Sequence, residues 1–135
     1  MANYRMKNLE KIKETLLALD KEKNIRFISL FGSHVTGKTH KDSDVDIAVF
    51  YDDSKKERFA YRLKALGELS DHVDLHIFQD LPLAVKKEVL GGKVLYYQNF
   101  QFVFDLFMGI IKEYGHFERH LETYYAAVEG GTIGA

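Results

Sequence analysis

Several residue types are absent or scarce in this chain of 135 residues, and each absence excludes a class of protein. The sequence has no cysteine, no tryptophan and a single proline. Without cysteine it can form neither a disulfide framework nor a zinc site with thiolate ligands. No apolar run approaches the length of a membrane span, and the charged start MANYRMKNLEKIKE has no apolar signal core. We therefore expect a soluble, cytoplasmic protein without a membrane partner.

An excess of positive charge is also missing. Nineteen basic and twenty acidic side chains leave a formal net charge of -1. Such a balance creates no general attraction for polynucleotides, so nucleic acid is not expected as a direct substrate. The length predicts one domain, which we divide into a core at residues 1–98, a C-terminal helix at 99–129 and a flexible tail at 130–135.

The hydrophobic pattern changes period several times along the chain. Alternating apolar and polar residues predict strands at IRFISLF, DVDIAVFY, HVDLHIF and KVLYY. Helical spacing predicts helices near residues 9–19, 54–69, 81–92 and 100–128. Ser54 is a candidate N-cap, and Pro82 stands near the start of the third helix. The order of these elements predicts an α+β domain with a long C-terminal helix.

The segment FGSHVTGKTHKDSDVDIAVF, at residues 31–50, fits two different phosphate-binding patterns. Its part GSHVTGKT matches the P-loop pattern, with Lys38 and Thr39 in the lysine and hydroxyl places. A P-loop opens a helix that crosses back over the sheet, and a parallel crossover needs about a dozen residues or more. The next predicted strand already begins at residue 44, so we interpret this match as a polar loop.

The second pattern consists of carboxylates on strands. Residues two apart in a strand point to one face, so Asp44 and Asp46 project together. Asp74 lies between His72 and His76 on the polar face of the third predicted strand. If the second and third strands are neighbours, Asp74 lies beside Asp44 and Asp46. Such oxygen ligands suit Mg²⁺ or Mn²⁺, and two ions about 3.5–4 Å apart can clamp an in-line phosphoryl displacement. The sequence therefore predicts two Mg²⁺ ions, with Mn²⁺ as an alternative.

Gly32 and Ser33 complete the predicted site. A glycine after a strand permits a sharp turn, and the following amides with the Ser33 hydroxyl can bind a triphosphate. A calcium loop is the alternative for the carboxylates, because DSDVD at 42–46 has its opening spacing. Ile47 occupies the position where that loop requires glycine, which favours the nucleotidyl-transfer interpretation.

These residues resemble the DNA polymerase beta-like nucleotidyltransferases, whose pattern is Gly-Ser, a gap, Asp-x-Asp and a later strand carboxylate. The similarity covers residues 25–78 and is greatest to the minimal nucleotidyltransferase (MNT) branch, in which a small domain is the antitoxin of a HEPN-type ribonuclease toxin. The resemblance implies a mixed, mostly antiparallel sheet with helices packed on one face. It assigns nucleotide binding to Gly32 and Ser33. It assigns metal binding and catalysis to Asp44, Asp46 and Asp74.

The resemblance also implies a function, which is Mg-dependent transfer of AMP from ATP to a tyrosine hydroxyl of the toxin, with which the antitoxin can form an oligomer. One segment departs from the branch. The branch often continues Gly-Ser with Ala-Arg-Gly, whereas this chain has HVTG at 34–37, so either Lys38, Lys41 or another base helps with the phosphate charge, or nucleotide binding is weakened. Two alternatives remain open: a nucleotidyltransferase that acts on a small molecule, and an antitoxin that neutralises by binding alone. The former usually needs an additional substrate-binding domain.

The C-terminal helix contributes candidate partner residues. One helix can bury only one stripe on a small sheet, so Tyr124 and Tyr125 can remain available to a partner protein. Glu113, His116 and His120 have spacings that could hold zinc. The sequence offers no second ligand cluster for them, and we interpret them as a solvated face.

Overall fold

A computed structural model describes residues 2–32 and 45–129 of the chain. The elements in these ranges are α1 (Ala2–Leu19), β1 (Ile25–Phe31), β2 (Val45–Tyr51), α2 (Lys55–Leu66), β3 (Val73–Ile77), a 3₁₀ turn (Phe78–Asp80), α3 (Leu83–Leu90), β4 (Lys93–Tyr97) and α4 (Phe100–Glu129). Each predicted helix and strand is present. The division of the chain at residues 98 and 129 stays a prediction, and the tail at 130–135 lies outside the described residues.

The four strands form one sheet in the order β3-β2-β1-β4. β1 is antiparallel to both β2 and β4, and the β2 and β3 pair is parallel. A parallel pair needs a crossover connection, and α2 provides it between β2 and β3. The predicted mixed, mostly antiparallel sheet is therefore confirmed.

One face of the sheet packs against α1 and α2. Its apolar cluster is formed by alternate strand residues with residues of the two helices, namely Ile12, Leu16, Ile25, Ile28, Leu30, Ile47, Val49, Tyr61, Ala65, Val73, Leu75 and Ile77. The Tyr61 hydroxyl donates a hydrogen bond of 2.7 Å to the Leu16 carbonyl and so ties α2 to the end of α1. Buried Asp20 shapes the turn into β1, because its carboxylate accepts hydrogen bonds from the backbone amides of Asn24 and Ile25.

The opposite face carries a second apolar cluster, which α3 and α4 help to cover. Phe27 is at its centre, with ring centroids 5.1 Å from Phe78 and 5.5 Å from Phe107, both edge-on. Buried Val89 and Val103 bring α3 and α4 to the same cluster. The resemblance implied helices packed on one face. The second layer exists because β1 is central and has apolar residues on both of its faces.

Local signals in the sequence position the helices as predicted. The Ser54 hydroxyl accepts a hydrogen bond of 3.3 Å from the Glu57 amide and caps α2, and α3 begins directly after Pro82. Gly92 lies in the turn between α3 and β4, where a Cβ atom would come within 2.0 Å of the Leu30 carbonyl oxygen. This close approach lets β4 pair beside β1.

β3 forms one edge of the sheet, and a side chain covers part of that edge. Arg62 on α2 donates a hydrogen bond of 2.7 Å from its Nε to the Leu75 carbonyl. The other long element, α4, has 30 residues and extends about 45 Å at the helical rise per residue. In the described part of the chain, no helix combines the length and the apolar character that crossing a bilayer would require.

Candidate active site

Asp46 and Asp74 lie side by side on the sheet. They are directly opposite each other in the parallel register of β2 and β3. Their side chains point to the face that carries Ala48 and Phe50, because residues two apart in a strand share a face. The carboxylates keep exposed fractions of 28% for Asp46 and 43% for Asp74, so a ligand in solution can reach both.

His76 joins the two carboxylates. Its Nε2 atom is 3.1 Å from Asp74 Oδ2 and 3.6 Å from Asp46 Oδ1. The residue opposite His76 in the register is Ala48, whose small side chain leaves room for the imidazole above β2. The ring also packs edge-on against Phe31, with centroids 5.6 Å apart. The histidine is therefore held between β1 and β3 at the level of the carboxylates.

Gly32 forms the turn that ends β1, and it lies directly beside the Asp46 carboxylate. Its φ angle is 84°, in the left-handed region that favours glycine. A Cβ atom at this position would be 2.5 Å from Asp46 Oδ2. Glycine is thus required twice here, for the backbone conformation and for the space that the carboxylate occupies.

Three of the five predicted site residues come together in the structure. Gly32, Asp46 and Asp74 are neighbours, whereas Ser33 and Asp44 lie outside the described residues, as do Lys38 and the rest of the P-loop match. The catalytic, nucleotide-binding and metal-binding roles of all five stay predictions. The two histidines that flank Asp74 in the sequence lie in different surroundings: His76 contacts the carboxylates, and His72 does not belong to this group. His72 lines a different pocket, together with Lys11 and Thr15 of α1.

A surface pocket of about 290 Å³ adjoins this group at the edge of β3. Its lining includes Lys55, Phe59 and Arg62 from α2 and His76 from β3. Two cationic side chains thus lie on the same side of the sheet edge as the histidine. Residue patterns did not predict this arrangement, because it depends on how α2 crosses over β3.

Asp80, which also lines this pocket, forms an ion pair with Arg58. Arg58 Nη2 is 2.7 Å from Asp80 Oδ1. The hydrogen bond from Arg58 holds the pKa of the Asp80 carboxyl below its usual value, and it raises the pKa of the guanidinium. Asp80 is thereby kept ionised by Arg58, which also fixes the 3₁₀ turn against α2.

The three side chains form a set of donors that suits a divalent cation. One ligand atom from each of Asp46, Asp74 and His76 lies within 4.8 Å of the others. Two carboxylate oxygens and one imidazole nitrogen are common ligands of divalent metals in proteins. The geometry can hold an ion beside the turn at Gly32.

Comparison with known proteins identifies the family. The family described as "Polymerase beta, Nucleotidyltransferase" matches residues 10–101, which include both strands of the carboxylate pair and the turn at Gly32. The chain belongs to this family. The suspected relationship and the predicted fold are thereby confirmed, and the chain contains a nucleotidyltransferase domain.

One curated relative of this chain is a protein of Methanocaldococcus jannaschii named "Putative protein adenylyltransferase MJ1547". The two sequences are 38% identical over 70 residues, which is 51% of this chain. The chain matches about half of the relative's length, since the alignment covers 53% of it.

Solved structures of toxin-antitoxin complexes contain chains with the same fold. One complex, with AMP-PNP, has a chain that is 25% identical with a TM-score of 0.67, over 86% of this protein and 97% of that chain. A chain of the MntA-HepT complex is 26% identical with a TM-score of 0.64, over 92% and 98%. A third structure contains a tri-AMPylated HEPN toxin of Shewanella oneidensis with its MNT antitoxin; its matching chain is 25% identical, with a TM-score of 0.65, over 92% and 98%.

Proposed function

We propose that this nucleotidyltransferase transfers AMP from ATP to a tyrosine hydroxyl of a HEPN-type ribonuclease toxin and so acts as its antitoxin. The observation that carries the proposal is the pairing of Asp46 with Asp74 in register, on an accessible face beside the Gly32 turn. Two carboxylates placed this way suit the chemistry of phosphoryl transfer. The AMPylated toxin in one related complex and the AMP-PNP in another support the choice of AMP and of a toxin protein as the acceptor.

The residues present fit the divalent cations that this chemistry uses. Asp46 and Asp74, with Asp44 from the preceding segment, would hold two Mg²⁺ ions. When bound, these ions supply charge that stabilises the oxygens of the transferred phosphoryl group. Gly32 and Ser33 would bind the triphosphate through backbone amides and the serine hydroxyl, which fixes the direction of the α-phosphate.

The transfer itself is one displacement. The acceptor hydroxyl oxygen forms a bond to the α-phosphorus of ATP, and the bond from that phosphorus to the bridging oxygen of pyrophosphate breaks. Asp74, which is more exposed than Asp46, accepts the hydroxyl proton. Pyrophosphate leaves, and the AMP remains on the acceptor as a phosphodiester.

An antitoxin that neutralises by binding alone is the second candidate, and an exposed stripe on α4 favours it. Phe117, Leu121 and Tyr124 continue the core-facing spacing of the helix but have exposed fractions of 49%, 37% and 54%. Such a surface suits a partner protein whether or not transfer follows. A small-molecule acceptor is less well supported, because the AMP group in one related complex is carried by a toxin protein.

The test is co-expression with the toxin, followed by intact-mass analysis of the toxin and measurement of growth. The toxin is first identified as the protein that co-purifies from native cells. With the wild-type chain we expect a gain of one or more AMP units on the toxin and full growth. The Asp74→Asn variant should keep the fold and the complex but lose the mass gain, because proton acceptance contributes about 10²–10⁴-fold to such rates.

Asp71→Asn is the matched control, since this exposed carboxylate lies in the turn just before β3. It should leave both the mass gain and growth unchanged. Full growth with Asp74→Asn and an unmodified toxin would contradict the transfer and favour binding alone. Growth arrest with both variants would indicate that the turn, and not the carboxylate, had been damaged.

A further inference from the structure

His76 differs from the other polar residues near the carboxylates because its ring is held in place on several sides. Its Nε2 contacts both Asp46 and Asp74, its ring edge meets Phe31, and Ala48 opposite it leaves the space that it fills. Only 28% of the side chain is exposed. An imidazole held this way has little freedom to turn away when a cation binds.

The distances match adjacent positions in one coordination sphere. In an octahedral site with ligands about 2.1 Å from the ion, neighbouring ligand atoms are about 3.0 Å apart. The Nε2 atom is 3.1 Å from Asp74 Oδ2 and 3.6 Å from Asp46 Oδ1, and all three ligand atoms lie within 4.8 Å of one another. Small rotations of the side chains would bring them to one face of an octahedron.

We propose that His76 Nε2 is itself a ligand in the metal site, and that it makes the site prefer Mn²⁺ to Mg²⁺. The inference rests on the proposed metal site of the nucleotidyl-transfer function. Mg²⁺ takes oxygen ligands almost exclusively, whereas imidazole nitrogen binds divalent transition metals well. A site of two carboxylates and one histidine therefore gains affinity for Mn²⁺ without a matching gain for Mg²⁺.

A histidine in this position could instead act only as a hydrogen-bond donor that orients the carboxylates. The two roles differ in the magnetic coupling between the nitrogen and the bound metal, and in the selectivity between metals. A ligand nitrogen shares electron spin density with bound Mn²⁺, and a hydrogen-bonding nitrogen in the surroundings does not do so to the same extent. A ligand also discriminates between metals, while an orienting residue affects all divalent ions alike.

The experiment measures metal binding by the full chain without ATP. Mn²⁺ is titrated and its free concentration followed by electron paramagnetic resonance, Mg²⁺ is measured by competition, and nitrogen coupling to Mn²⁺ is recorded by pulsed spectroscopy. We expect coupling from a directly bound nitrogen in the wild type. In His76→Gln, which offers an amide oxygen, we expect this coupling to disappear and Mn²⁺ affinity to fall about tenfold or more, while Mg²⁺ affinity changes much less.

His72→Gln is the matched control, because His72 lies just before the same strand but lines the pocket near α1. It should bind Mn²⁺ as the wild type does, with the same coupling. Equal Mn²⁺ affinity in wild type and His76→Gln, without nitrogen coupling, would overturn the proposal and leave the proposed transfer reaction standing. Failure of the wild type to bind either ion, even with an ATP analogue present, would overturn both.

Discussion

Gly32 links the backbone of β1 to the chemistry of the site at the scale of a single residue. Its left-handed conformation turns the chain sharply at the end of β1, and its missing side chain leaves the space for Asp46 Oδ2. The Asp46 carboxylate can therefore occupy its position only because residue 32 has no Cβ atom. Stability and function should respond differently when that atom is added.

Gly32→Ala should weaken binding of ATP with a divalent ion more than it weakens the fold. The left-handed conformation costs alanine about 1–2 kcal/mol of unfolding free energy. The larger effect is displacement of the Asp46 carboxylate, for which we expect a loss of about tenfold or more in affinity, as for other residues that orient metal ligands. Calorimetry with ATP and Mn²⁺, together with urea denaturation, measures the two effects separately.

Gly67→Ala provides the control for that measurement. Gly67 ends α2 with a φ of -68°, which alanine adopts freely. Its affinity for the nucleotide should equal that of the wild type. Unchanged affinity in Gly32→Ala as well would show that Asp46 does not bind the metal.

Residue patterns predicted the carboxylates but not all of their neighbours. Alternation on a strand is enough to place Asp46 on the face opposite to Ile47 and Val49, and Asp74 on the face opposite to Val73 and Leu75. The contact of His76 with both depends on register, because Ala48 and not a larger residue stands opposite it. Alternation decides on which face a residue lies, but a shift by two residues preserves it, so the pattern of one strand does not determine which residue stands opposite His76.

At the scale of elements, α4 is longer than the sheet it packs on. Val103 and Ile110 are buried, and the same alternating three- and four-residue spacing continues to Phe117, Leu121 and Tyr124, which are exposed. Spacing of this kind is typical of helices that pack lengthwise against another helix. Tyr125, also predicted to be available to a partner, is 55% exposed.

The exposed part of this stripe should be required for partner binding and not for folding. We expect the double variant Phe117→Ser, Tyr124→Ser to lose the complex with the toxin in size-exclusion chromatography. Its free energy of unfolding should change by less than about 0.5 kcal/mol per site, because neither side chain is buried in the free protein.

Phe104→Ser is the control, because Phe104 is 48% exposed on the same helix but stacks on Phe100, away from the stripe. It should leave the complex intact. A complex that survives the double variant but not Phe104→Ser would place the interface on the other side of α4.

The starts of α2 and α3 followed from the sequence because caps act locally, whereas α1 begins at Ala2, before the periodic apolar residues that predicted a helix near 9–19. Ser54 and Pro82 mark the starts of α2 and α3 wherever these helices end up in space. The second helical layer was not predicted, since it depends on β1 being an interior strand whose two faces are both covered. That property belongs to the sheet order and appears only when all four strands are paired.

At the scale of the whole molecule, two apolar clusters on opposite faces of one sheet share the strands between them. In the described part of the chain, few ion pairs connect the helices on either face to the sheet and its turns. The pair of Arg58 and Asp80 is one of them, and it joins α2 to the 3₁₀ turn after β3. Its contribution to stability depends on pH in a direction that the pKa of Asp80 determines.

Acid should weaken the protein partly through this pair. The pKa of Asp80 is lowered from 3.8 in the folded state, so its contribution is complete above that value and is lost as pH falls through the lowered pKa. Asp80 is 37% exposed, so solvent screening limits the effect to about 1 kcal/mol or less. Asp80→Asn should be less stable than the wild type by this amount at pH 7, and the difference should vanish in strong acid.

Urea denaturation at pH 7 and at pH values below 3.8 checks this expectation. Glu68→Gln, which removes an exposed charge of the same sign next to α2, serves as the control. A gap between Asp80→Asn and the wild type that stays constant with pH would mean that the asparagine had disturbed packing instead.

The edge of the sheet at β3 has a consequence for how the protein behaves in concentrated solution. Open strand edges can recruit a strand from a neighbouring molecule, and natural proteins often obstruct them with charged side chains. Arg62 does this by occupying the Leu75 carbonyl, which an incoming strand would otherwise use. The Arg62 side chain therefore also opposes aggregation. A chain without it would present an unpaired β3 carbonyl, to which a strand of another molecule could pair.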